Sequence, residues 1–236
     1  MAHAEYLLLD AWPRALPWSA ATLGCYLVGK FVHRRLQRWW STPLLLAPAL
    51  LIALALALHE SYAAYIGQTH WLVALLGPVT VAFALPLWEQ RALIRRHWLL
   101  LGAGAVAGSA AAMLSVWLLA TLLGLHGTLL LSLLPRSMST PFAMTVSAAI
   151  GGRPDLTAVF VVITGVLGSA LGELLLLTLP LRSRLARGAL FGMGAHGAGV
   201  ARAHGIGREE GSIAGLLMVL VGVLNVLLAP LLAHWF

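Results

Sequence analysis

Charge is what this chain has least of. Asp, Glu, Lys and Arg make up 10% of its 236 residues, and 60% are hydrophobic; soluble domains run near ~25% charged. That balance excludes an ordinary soluble fold. Several apolar runs instead approach the ~20 residues that a helix needs to cross a bilayer. Acid is scarcer than base, with eight Asp and Glu against fifteen Lys and Arg, a net charge of +7, and Lys30 is the single lysine. The bases sit in short connections between apolar runs, where the positive-inside rule puts them on the cytoplasmic side. No basic tail or aromatic-interleaved basic patch accompanies them, so a nucleic-acid partner is excluded.

Cysteine is nearly absent. Cys25 stands alone, which excludes an internal disulfide and any CxxC site. Thr22-Leu23-Gly24-Cys25 has no basic leader before it, so Cys25 reads as span packing, and no cleaved signal peptide is expected. Enzyme signatures are missing as well. His59-Glu60 lacks the second histidine of HExxH, no Gly-rich loop ends in Lys-Ser or Lys-Thr, and no Cys/His cluster has metal spacing. An enzyme, a cofactor and a metal are therefore not expected.

What is present is a series of spans. After a mixed lead over 1–16, the first is expected over Pro17–Val32, with Trp12 and Trp18 at its outer boundary. Lys30, Arg34, Arg35 and Arg38 close it on the inside, followed by Trp39 and Trp40. A second runs over about Thr42–Leu58 and ends at His59-Glu60 in a loop without Lys or Arg. The third, Trp71–Trp88, carries Pro78, Thr80 and Pro86, which read as a kinked or interrupted helix. Trp98–Leu125 is a fourth, with Gly104 and Gly108 as a small-residue packing face. Leu156–Leu179 and Ser212–Ala233 complete the series.

Two segments do not read as spans. The first, over 129–150, contains Leu133-Leu134-Pro135-Arg136-Ser137-Met138-Ser139-Thr140-Pro141, with two helix-breaking prolines, an arginine and a run of hydroxyls. The second, over 188–207, carries Gly188, Gly192, Gly194, Gly197, Gly199, Gly205 and Gly207 around His196, Arg202 and His204. If 129–150 crossed fully, Arg182, Arg184 and Arg187 would fall outside, against the charge rule. If both segments dip in and return, the first from outside and the second from the cytoplasm, the rule holds. The expectation is an all-α polytopic membrane protein of about six spans plus two re-entrant or discontinuous segments meeting near the midplane; the alternative is eight crossings. Pro78–Ala82 faintly repeats the Pro135–Ala143 text, either as a paired discontinuous helix or as chance.

Broken backbone at membrane depth survives where protein or water surrounds it, and that is where transporters place their sites. Arg136 is the first candidate, because a guanidinium offers a planar, permanently charged fork to a carboxylate. Ser137, Ser139 and Thr140 add hydroxyls beside it, and a helix starting after Pro141 presents free N–H groups. Against this stands an arginine that snorkels to the interface. His196 is placed to contact substrate or relay a proton, or to act as a structural histidine. Arg202 is a second anion contact or an edge charge. Glu173 either pairs with Arg182 or Arg202 or carries a coupling proton. Asn225 is expected to make an interhelical hydrogen bond. The residues expected to break the helices are Pro78, Thr80, Pro135, Pro141, Gly194, Gly197 and Gly199.

Pro135–Met144, Gly151-Gly152, Thr157–Phe160, Gly165, Ala186-Arg187-Gly188 and 192–203 together resemble the LrgB/CidB family, as do Leu76–Ala82 and Glu209-Glu210-Gly211. The resemblance covers essentially everything after Thr42. It implies one integral membrane domain over 1–236, with 1–41 a first span and basic loop and 42–236 the family core. Members are regarded as antiholin-like regulators of murein hydrolase activity and autolysis, and relatives in plastids move glycolate and glycerate. An LrgA/CidA-type small membrane partner, a homo-oligomer and the bacterial inner membrane are what the resemblance implies. Arg136 stands where that family often has lysine, Met193 and Val200 where it has threonines, Glu173 where it has proline and Asn225 where it has threonine. Residues and resemblance together suggest a secondary carrier for small monocarboxylates such as glycolate, pyruvate or lactate, with the non-transporting antiholin-like regulator as the alternative.

Overall fold

The computed structural model describes residues 2–36 and 38–235, with side chains over 17–36, 38 and 40–234. Every regular element among the described residues is helical. The chain divides into two compact units, with the boundary between Gly77 and Pro78.

The first unit holds α1 (Ala2–Leu36), α2 (Pro43–Ala57) and α3 (Tyr62–Ala74). α1 is longer at both ends than the span expected over Pro17–Val32. Its turn into α2 is fixed by Ser41, whose hydroxyl accepts from Arg38 N–H, donates to the Arg38 carbonyl and meets His33 Nδ1 at 3.0 Å. α3 begins nine residues before the expected start at Trp71 because Ser61 caps it, accepting from Ala64 N–H at 3.2 Å. It is tied to α1 by Trp71 Nε1 donating to Ser19 Oγ at 2.8 Å and by an edge-on contact of Trp18 with Tyr65. Trp18 is thereby 5% exposed and serves as core packing rather than as a headgroup anchor, whereas Trp40 is exposed. The side chains of Trp12 and Trp39 lie outside the described residues.

Tyr62–Glu89 is apolar over 28 residues but is broken at Leu75 and Phe83 into α3, α4 (Leu76–Ala82) and α5 (Ala84–Glu89). Each break follows from a proline. Pro78 has no N–H for the carbonyl four residues back at Ala74, and Pro86 has none for Ala82. The interruption expected from Pro78 and Pro86 is present. The stretch over 78–82 is helical and does not take the form of the 135–143 segment, so their textual likeness has no structural counterpart.

In the second unit α6 (Arg91–Leu122) kinks at His97. The unit continues as α7 (Thr128–Leu133), a 3-10 turn at Leu134–Ser137, α8 (Thr140–Ala149), α9 (Pro154–Thr178), α10 (Arg184–Gly194), α11 (His196–Ile206) and α12 (Arg208–Trp235). Stretches long and apolar enough to cross a bilayer are Tyr62–Glu89, Arg91–Leu122, Pro154–Thr178 and Arg208–His234, with Pro43–Ala57 a shorter apolar helix. The two odd segments are different. Helices of 10 and 11 residues reach about 16 Å, half the hydrocarbon thickness.

Their pairing makes them hairpins. Ser132 on α7 and Ser147 on α8 both meet Thr157 of α9, whose hydroxyl lies 2.9 Å from the Ser132 carbonyl and 2.7 Å from Ser147 Oγ. Arg153 N–H closes the mouth on Ser132 Oγ at 2.8 Å. In the second hairpin, Gly188 at the entry packs on Ile213 and the Glu210 carbonyl, His204 at the exit packs on Gly211, and Arg184 pairs with Glu209 across the mouth. Both arms of each hairpin therefore return to the end from which they entered.

The mouths lie at opposite ends of α9. Along α9, hairpin one goes from Thr157 to Thr164, whereas hairpin two comes from Phe191 on Gly172 to His196 on Gly165. Cysteine labelling checks this arrangement against a bilayer. In a Cys25→Ser background, Asp155→Cys is expected to react with an impermeant maleimide in intact cells, and Arg182→Cys only after permeabilisation. Both residues reacting from one side would mean that α9 does not cross.

Candidate functional site

Both hairpin tips reach the middle of α9. In hairpin one the tip is the 3-10 turn, where Pro135 is buried and Arg136 half-buried, followed by Ser139 at the N-cap of α8. Pro141, the second residue of α8, has no N–H to lose there, so it starts the helix rather than breaking it. Ser139 does not cap the helix with its side chain. Its hydroxyl is buried and has no hydrogen-bond partner among the described residues. Arg136 Nη1 donates to Thr164 Oγ1 of α9 at 3.5 Å, and among the described residues no carboxylate pairs with this guanidinium.

The tip of hairpin two is the Ala195–His196 break. Ala195 has φ −139° and ψ 10°, and His196 has φ +39°, a left-handed backbone that costs a non-glycine residue ~1–3 kcal/mol. Gly197 next door would take that φ without strain, yet the strained position carries the imidazole. His196 is 4% exposed and its Nε2 has no hydrogen-bond partner among the described residues. A Cβ at Gly165 would stand 2.8 Å from His196 Cε1, so the ring lies directly on the α9 backbone.

Close approach explains the glycines. A Cβ at Gly168 would collide with the Gly194 carbonyl oxygen, and one at Gly192 with the backbone of Ala214 in α12. Gly199 is likewise pressed on the Phe191 carbonyl, closing α11 onto α10. Gly194 and Gly197, expected as helix breakers, are not explained in this way, since a Cβ at either would meet nothing within 4 Å. Gly194 ends α10 and contributes its carbonyl, while the break itself falls at Ala195 and His196. Of the α6 glycines, Gly108 lies against the Met193 side chain, whereas a Cβ at Gly104 would meet nothing within 4 Å among the described residues.

The expected site residues separate into two groups. Arg136 and Ser139 lie at the tip of hairpin one and His196 at the tip of hairpin two, and the two tips reach adjacent residues of α9. Ser137 faces a neighbouring cavity of about 20 Å³, lined also by Ser109, Met113, Met193 and Asn225, which has room for one water. Ser109 Oγ donates to Asn225 Oδ1 at 2.7 Å, the interhelical bond expected of Asn225. Thr140 is the first residue of α8 and half-buried. Arg202 is elsewhere: its Nε pairs with Glu173 Oε1 at 2.5 Å, nine residues along α9 from Thr164, or about 14 Å. That pairing is one of the two fates expected of Glu173. Pro78 and Thr80 lie on α4, which has no buried residue.

Thr164 is not singled out by the sequence. Thr164 reads as an ordinary hydroxyl in an apolar span. The small residues Gly165, Gly168 and Gly172 on one face of α9 were its available marker, since they show which side of that helix faces other backbone.

The LrgB-like family model matches residues 22–235. YwbG of Bacillus subtilis (strain 168) is 37% identical over 211 residues, 89% of this chain and 94% of that protein. The antiholin-like protein LrgB of the same organism is 33% identical over 210 residues, 89% of this chain and 91% of the relative. YxaC, also from that strain, is 34% identical over 215 residues, 91% and 94% of the two chains. No solved structure matches. Helices long and apolar enough to span a bilayer, two opposed hairpins and a family match over nearly the whole length agree: this chain is a membrane protein of the LrgB-like family.

Proposed function

We propose that this protein is a secondary carrier for small monocarboxylates such as glycolate, pyruvate or lactate, working as one domain in the bacterial inner membrane. The observation that carries the reading is a half-buried Arg136 without a carboxylate partner among the described residues, at the tip of one of two opposed hairpins that reach adjacent residues of α9. Arg136 holds the carboxylate, and Ser139 and Thr140 orient it. His196, whose Nε2 is buried and unpartnered, contacts the substrate or its proton. Arg202 and Glu173 act as a pair on the flank, with Glu173 the second candidate for a coupling proton. The protein has no enzymatic role in this reading, and it works as a homo-oligomer with an LrgA/CidA-type partner.

The test is uptake of labelled glycolate and pyruvate into proteoliposomes, with and without an imposed proton gradient. Saturable uptake is expected, stimulated by an inward gradient, with His196→Ala losing the stimulation. Absence of uptake both alone and with the LrgA-type subunit would overturn the carrier reading.

The name of one relative favours a second reading, that of an antiholin-like regulator without transport of its own. That reading expects Arg136→Ala to leave autolysis control intact as long as the protein assembles.

A further inference from the structure

Arg136 rises from a 3-10 turn of four residues, Leu134–Ser137, with helices on both sides. A long arginine side chain on so short a turn has many rotamers, and a site that captures an anion needs one of them. A carboxylate neighbour would fix the guanidinium but would also neutralise it. A hydroxyl fixes it and leaves the charge free. In this fold the neighbour is a hydroxyl: Thr164 Oγ1 accepts from Arg136 Nη1 at 3.5 Å.

We propose that Thr164 is a positioning residue for the Arg136 guanidinium and thereby sets the affinity of the anion site. The inference rests on the carrier reading above. The geometry of the fork explains how it works. Nη1 lies on the side of the guanidinium toward Cδ, so holding it leaves the Nε–Nη2 edge open, and that edge receives a carboxylate with two parallel hydrogen bonds. Thr164 is also adjacent in sequence to Gly165, on which the His196 ring rests. One turn of α9 thus locates the cation of hairpin one and the imidazole of hairpin two. The length of the Thr164 bond suits a support that tightens when the anion arrives, as hydrogen bonds at ligand-free sites commonly do.

The experiment is initial-rate uptake of labelled glycolate in proteoliposomes, over a range of concentrations, for wild type, Thr164→Val and Thr164→Ser. Valine matches threonine in shape and removes the acceptor; serine keeps the acceptor and removes the methyl. Thr164→Val is expected to raise KM by about tenfold with the maximal rate within about twofold, the size expected from losing a hydrogen bond to a charged group. Thr164→Ser is expected to stay close to wild type. The same pair in an Arg136→Lys background should differ little, because an ammonium has no fork to orient.

An unchanged KM in Thr164→Val overturns the proposal. So does an equal loss in the valine and serine variants, or a valine effect of full size in the lysine background. Variants are compared at equal amounts of monodisperse, reconstituted protein, so misfolding is scored separately. Wild type without uptake, both alone and with the LrgA-type subunit, removes the carrier reading and this inference together, and Arg136→Ala with wild-type uptake removes the Arg136 anion site and this inference with it. A normal response to Arg136→Ala with a neutral Thr164→Val removes this inference alone.

Discussion

Arg136→Ala is expected to abolish saturable glycolate uptake, by about 100-fold or more in uptake efficiency, which corresponds to two charge-assisted hydrogen bonds. The variant is expected to fold. Arg136 sits on a turn whose packing residues are Leu134, Pro135 and Met138. The guanidinium itself is half-buried and, among the described residues, donates to Thr164. Removing it relieves the burial of a charge that lacks a carboxylate partner among the described residues, so thermal stability should stay level or rise. Arg136→Lys keeps the charge without the bidentate fork and should retain uptake within about tenfold of wild type. The outcome that counts against the site is an alanine variant, monodisperse and stable, that transports at the wild-type rate.

The second large effect concerns the docking of hairpin two. Gly192→Val is expected to lower the melting temperature of the detergent-purified protein by about 10 °C or to prevent its recovery altogether, as overpacking in a tight core does. The atoms that a Cβ at position 192 would meet are the Cα, carbonyl carbon and carbonyl oxygen of Ala214, which is fully buried. Backbone cannot rotate away as a side-chain tip can, so α10 would have to lift off α12. Gly197→Ala is the internal control. A Cβ there meets nothing within 4 Å, and alanine is the better helix former by ~1 kcal/mol, so stability should hold or increase. Equal behaviour of the two variants would mean that α10 does not lie on α12 as described.

That contrast marks where sequence reading loses resolution. Glycine counts alone placed Gly192, Gly194, Gly197 and Gly199 in one class, because an excess of glycine signals both broken helix and close packing. Contact separates them: Gly192 and Gly199 are pressed against carbonyls of other helices, while Gly194 and Gly197 are not. The residue that bends the hairpin tip is His196, with its positive φ. Proline was more legible, because its effect is local and covalent. Pro78 and Pro86 remove named hydrogen bonds and the helix breaks where they predict, whereas Pro141 begins a helix because the N-terminal positions have no such bonds to lose.

By itself the sequence determined the helical class and the two short polar segments among the apolar ones, because apolar run length and proline position act within one stretch of chain. It also marked Arg136, Ser139 and His196, since such groups inside apolar text are expensive enough to require a reason. Only the tertiary structure decided which of these groups lie near one another. It brought the two hairpin tips to adjacent residues of α9, put Thr164 under Arg136, and left Arg202 about 14 Å along the same helix on Glu173. The physical reason is that hairpin depth is set by backbone-to-backbone packing between segments distant in sequence, and that packing has no local sequence pattern.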